Sequence, residues 1–146
     1  MCVLGLLSLS IVGATYAGKF DADRDGLPDD FEQALLRKFV PTFHINKADC
    51  DVAPAEFEKD SHEPKVKARN GTIYGQVFPV HRAHAAGAWI EVHYFHLWGN
   101  DCGQAGHALD VESVSVLLRA DRNDWQPEAW QATYWYAAAH EKTYVT

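Results

Sequence analysis

Two short stretches of the 146-residue chain concentrate side chains that can hold a metal ion. The first, "DADRDGLPDDFE", sets Asp21, Asp23 and Asp25 at alternate positions and follows them with Gly26, Leu27, Asp29 and Glu32. A calcium-binding loop needs that order. Carboxylates come from its first, third and fifth positions, a glycine makes the sharp turn, the next residue offers a main-chain carbonyl, and the last acid can give two oxygens. Calcium is a hard cation that takes many oxygens at once, and without it such a density of like charge repels itself. The competing account of these acids is a helix N-terminus, where Asp and Glu face the positive end of the dipole.

The second stretch is "GHALDVESVS", residues 106–115. If it runs into a strand, side chains alternate, so Asp110, Glu112, Val114, Val116 and Leu118 share one face and Val111, Ser113, Ser115 and Leu117 the other. The two acids then stand at the mouth of an apolar row, and Gly103 and Gly106 permit a turn that folds His107 over them. One imidazole and two carboxylates make the open side of a divalent metal site, with positions left for water or a ligand. Calcium, magnesium, manganese and zinc all remain open; a solvated strand end is the competing account. In "EVHYFHLW", Glu91 and His93 fall on one face and His96 on the other. His93 becomes a ligand or general base if its face meets Glu112, and a core histidine otherwise. His140, in "AAAHE", is a second candidate base or part of an exposed turn.

The order Gly-His-x-x-Asp-x-Glu before an alternating apolar strand resembles the central motif of the necrosis- and ethylene-inducing-peptide-like proteins, and the related motif of Vps62-type proteins. In the first family the motif reads Gly-His-Arg-His-Asp-Trp-Glu, lies on a β-sandwich, and holds a divalent cation used to engage a membrane lipid headgroup. Gly106, His107, Asp110 and Glu112 match it, whereas Leu109 and Val111 replace its second histidine and its tryptophan. The resemblance implies a metal role for His107, Asp110 and Glu112, with Asp101 a positional candidate for the family's upstream aspartate; no toxin activity is carried over. The acidic loop resembles the isolated loops of dockerin-type and thrombospondin type 3 repeats, which implies a staple for the chain's start rather than a switch. The chain as a whole also resembles secreted bacterial proteins of uncharacterised families.

These residues need a scaffold, and its outline is readable. "PDDFEQALLRKFVP" spaces Phe31, Ala34, Leu35 and Phe39 helically between Pro28 and Pro41, so an amphipathic helix is expected over 28–40, directly after the 21–32 loop. The charged, proline-punctuated stretch 47–70 reads as surface loop ending in an Asn70-Gly71 turn. Runs rich in β-branched and aromatic residues at 72–78, 89–98, 111–119 and 132–139 read as strands. Strands without a repeating helix between them favour antiparallel pairing. The expected fold is therefore mainly β: an antiparallel sandwich with one N-terminal helix, strand-rich over 72–146, in a single domain spanning 18–146.

The opening "MCVLGLLSLSIVGATYA" reads as a signal peptide over 1–17 although its positive n-region is missing, and its apolar part is too short to span a bilayer comfortably. A secreted or periplasmic protein is expected, with no transmembrane segment in the mature chain. Removal of Cys2 with the signal leaves Cys50 and Cys102, a pair that in an exported domain forms either a disulfide or two buried thiols. The close after "EKTYVT" suggests a missing C-terminal segment. Twenty acidic against thirteen basic residues give a net charge of -7, which argues against a nucleic-acid partner. No nucleophile elbow, phosphate-binding glycine loop or paired Cys-x-x-Cys occurs. The expected function is metal-dependent binding of an oxygen-rich ligand, a sugar or lipid headgroup, at His107, Asp110 and Glu112. A hydrolase using the same ion to activate water, and a purely structural ion, are the alternatives.

Overall fold

A computed structural model describes residues 20–102 and 105–138; the expected signal, His140 and Glu141 lie outside them. The helix α1 spans Asp29–Phe39. Asp29, Asp30 and Glu32 occupy its first turn and Arg37 and Lys38 its last, the arrangement that complements the helix dipole. It stops at Val40, which is extended as a residue before proline must be. Phe31 and Leu35, one turn apart, are buried.

The strands are β1 (Glu56–Phe57), β2 (Val66–Ala68), β3 (Ile73–Pro79), β4 (Ala88–Asn100), β5 (Ala108–Ala120) and β6 (Gln131–Ala138), with a 3-10 turn at Pro127–Ala129. They form two antiparallel sheets, β1-β2 and β3-β4-β5-β6, in a small sandwich-like arrangement with α1. The mainly-β architecture with one N-terminal helix is thus the one observed. The segment expected to be all loop contains β1 and β2. These are too short to announce themselves, and Glu56 holds them in part through polar contacts to Lys67 and Asn70.

Alternation along β4 and β5 sorts the sheet into two faces. Ile90, Val92 and Tyr94 stand opposite Leu118, Val116 and Val114, and α1 packs over this face through Phe31, Leu35 and Leu36. The Tyr94 hydroxyl donates to the Leu36 carbonyl at 2.9 Å, and any Cβ at Gly75 would run into the Leu36 side chain, so helix and sheet meet directly. Val92, Val116, Leu118 and Leu35 are fully buried, each worth about 1.5–3 kcal/mol. A one-residue slip of either strand would trade them for the opposite face, so the core fixes the β4–β5 register. Lys38 fastens the end of α1 by donating to the carbonyls of Pro127 and Trp130.

Candidate metal centres

In the loop before α1, Asp21, Asp23 and Asp25 each offer an oxygen within 4.8 Å of the others. This acidic cluster can coordinate a divalent ion, and it is the one group of three found that close among the described residues. The backbone builds it. The Asp21 carboxylate accepts the N–H of Arg24 at 2.7 Å and of Gly26 at 3.1 Å, and Asp25 accepts that of Leu27 at 2.8 Å. Arg24 (φ 63°) and Gly26 (φ 93°) take the left-handed conformation that the turn demands and that glycine adopts without strain. Asp29 closes the loop, for its N–H donates to the Phe20 carbonyl and its carboxylate accepts the N–H of Ala22. The Leu27 side chain is buried in the core, which anchors the turn.

A helix dipole alone lowers carboxylate pKa values. Here burial, followed by the charges of Asp25, Asp23, Asp29 and Asp21, holds Glu32 up to about 7. Asp25 is also raised, chiefly by burial and against the Leu27 hydrogen bond. Burial is the larger cause at both residues, and the neighbouring aspartates add to it.

The second acidic region lies beyond α1 on the same sheet face. The β4–β5 hairpin pairs Trp98 with Asp110 and His96 with Glu112, and mutual backbone hydrogen bonds between Asp101 and His107 extend it. The register skips Gly99 and Leu109, and Leu109 is left-handed at φ 63°, a conformation that costs a side-chain-bearing residue about 1–2 kcal/mol. The floor of a groove of about 530 Å³ comes from the ends of β4, β5 and β6, and its wall from the segment 43–51. Cys50 and Cys102 are paired with Cα atoms 6.1 Å apart, joining that wall to the hairpin end.

Asp49, Asp51, Asp101, Asp110 and Glu112 all line this groove, and no lysine or arginine does among the described residues. Asp51 is committed to the scaffold, since its buried carboxylate accepts the Gly99 N–H at 2.9 Å and pairs with Arg69 at 3.3 Å. His107 does not line the groove. Its Nε2 lies 3.8 Å from Asp101 at the hairpin end, and its side chain is half exposed. Asp101, Asp110 and Glu112 therefore share a groove, while His107, Asp110 and Glu112 are not drawn together within 4.8 Å.

His93 belongs to the opposite face. It pairs across with Ser115, packs against the rings of Phe78 and Phe95, and approaches Glu91 at 3.5 Å. The sheet separates it from Glu112, so the condition on which a role beside an ion depended, a face shared with Glu112, is not met. The histidine on the Glu112 face is His96, 7% exposed, with its ring 3.8 Å from that of Phe43. Burial holds its pKa below the ordinary imidazole value. Its Nε2 is buried and has no hydrogen-bond partner. Alternation separates His96 from His93 but does not say which of them meets Glu112; only the hairpin register does that.

No protein-family model, curated protein or solved structure matches the chain. Function must be argued from the two acidic centres themselves. No helix among the described residues is long and apolar enough to cross a membrane.

Proposed function

We infer that this is an exported, divalent-cation-dependent binding domain. Calcium in the 21–32 loop staples the start of the mature chain to α1, and a second cation in the groove offers vacant coordination positions to an oxygen-rich ligand, a sugar or lipid headgroup. The observation that carries this reading is the groove lining: Asp101, Asp110 and Glu112 with no lysine or arginine among the described residues that line it. An acidic wall repels phosphates and does not by itself select hydroxyls, whereas an ion held on it attracts both. His107, whose Nε2 lies 3.8 Å from Asp101, would act by orienting that carboxylate from outside the groove. The family-like motif at 106–112 and the signal-like start at 1–17 point the same way.

The test is binding of the calcium-saturated protein to glycan arrays and to vesicles of defined headgroup composition, repeated with chelator and with Glu112→Gln. Binding that needs the ion and is lost in Glu112→Gln supports the reading. Chelation that lowers melting temperature while no array or vesicle ever binds leaves an ion with a structural role alone and overturns it.

A further inference from the structure

We propose that His96 is a nitrogen ligand in the groove, so that the second ion is a transition-series divalent cation, zinc foremost, held by His96, Glu112 and Asp110. This rests on the reading that the groove holds a cation, and adds which residues hold it and which metal they select.

Three independent features converge on His96. The register sets it directly across from Glu112, and Asp110 lies two residues further along the same face. Cross-strand neighbours on one face have Cβ atoms about 4.5–5.5 Å apart, close enough for an imidazole and a carboxylate to grip one ion at metal–ligand distances of about 2 Å. The residue is 7% exposed, lines the groove, and leaves Nε2 buried without a partner. Leaving a buried ring nitrogen unpaired is unfavourable, and a metal removes that cost by using the lone pair. The ring is also held in place: Phe43 meets it edge to face and Trp98 flanks it, which limits its freedom before any ion arrives.

The donor set decides the metal. The loop offers oxygen only, which suits calcium, whereas one imidazole with two carboxylates suits zinc and its neighbours and leaves a position for water or ligand. His96, Asp110 and Glu112 do not form a group of three within 4.8 Å, so this site, unlike the loop, closes on an ion only with side-chain rotation. His107 does not line the groove and remains outside this set.

The test uses tag-free protein with the loop saturated by calcium, histidine labelled with ¹⁵N, titrated with zinc. The proposal expects the Nε2 resonance of His96 to move to the metal-bound range at one equivalent while His107 and His93 stay in place. It also expects Glu112→Gln, which leaves the core untouched, to weaken zinc binding by about 100-fold or more, because losing a direct ligand should cost at least the upper end of what losing an outer-shell partner does. His96→Gln should abolish site binding; if it fails to fold, the labelled wild type still decides. Zinc binding at one equivalent with His96 unmoved, or with His107 moving instead, overturns the role of His96 and leaves the cation-binding groove standing. Failure of zinc, magnesium and manganese alike to bind beyond the calcium equivalent overturns both.

Discussion

The loop at 21–32 and the groove at the end of β4 and β5 carry comparable acidity but are built in opposite ways. The loop takes its carboxylates from one continuous stretch, uses its own N–H groups to aim Asp21 and Asp25, and already holds three oxygens within 4.8 Å. The groove takes Asp49 from one segment, Asp101 from the hairpin end, and Asp110 and Glu112 from β5, and no three of these carboxylates lie within 4.8 Å of one another. A local site exists as soon as its turn forms; a composite one exists only when the whole sheet is in register. The difference predicts that damage to long-range structure will empty the groove of function and spare the loop.

The strongest way to test that contrast is to cut the link between Cys50 and Cys102. It closes a span of 52 residues, so the chain-entropy estimate gives about 4 kcal/mol of stability. Cys50→Ser with Cys102→Ser should lose that amount in a denaturant titration. It should also weaken binding in the groove by about tenfold or more, because the wall and the hairpin end are no longer tethered. Calcium affinity of the loop should not change. An equal loss at both centres would show that the loop is not the autonomous unit its hydrogen bonds describe.

Next in size is the removal of calcium. At an ion concentration about 100-fold above Kd, binding contributes about 2.7 kcal/mol, so chelation should lower Tm by about 10 °C. The pH dependence has a definite sign. Without the ion, Glu32 has its pKa raised from 4.5 to about 7 by burial and by four neighbouring aspartates. The folded apo state therefore holds a proton that the unfolded chain releases, and this contribution to stability is present below pH 4.5 and lost as pH rises towards 7. With calcium bound the carboxylate is held ionised and the loss disappears. Glu32→Gln should flatten the apo profile between pH 4.5 and about 7 while weakening calcium binding. The check is Tm across that range for both proteins, with and without chelator; a wild-type apo profile no steeper than that of the variant would refute the assignment.

The same contrast explains how much could be read from the residues alone. The α1 boundaries, the four long strands and the loop are legible because each depends on periodicity or spacing within a dozen or so positions. β1 and β2 are not, since Glu56 and Phe57 make a strand only when Ala68 and Val66 arrive from across a turn. Asp110 and Glu112 could be assigned to one face of a strand, but their partner could not. That choice depends on Ile90, Val92 and Tyr94 meeting Leu118, Val116 and Val114, an energetic preference spread over the whole hairpin. His96 and His93, three positions apart, exchange roles if that register moves by a single residue.

The smallest expected effect follows from that pair. His93 sits among Phe78, Phe95 and Glu91 on the face away from the groove, and its ring contacts are of the kind worth about 1 kcal/mol. His93→Ala should cost about that much in unfolding free energy, and its effect on binding in the groove should stay within about twofold, the scatter expected of uncoupled sites. Calorimetric titration of zinc or magnesium into this variant, beside Glu112→Gln, makes the comparison direct. Were His93→Ala to weaken binding as Glu112→Gln does, the two faces would have to communicate through the strand, and the separation that assigns the groove to one face would fail. A neutral result removes the His93 face from the site and leaves the face shared by Glu112 and His96, because the pleat points the two histidines in opposite directions.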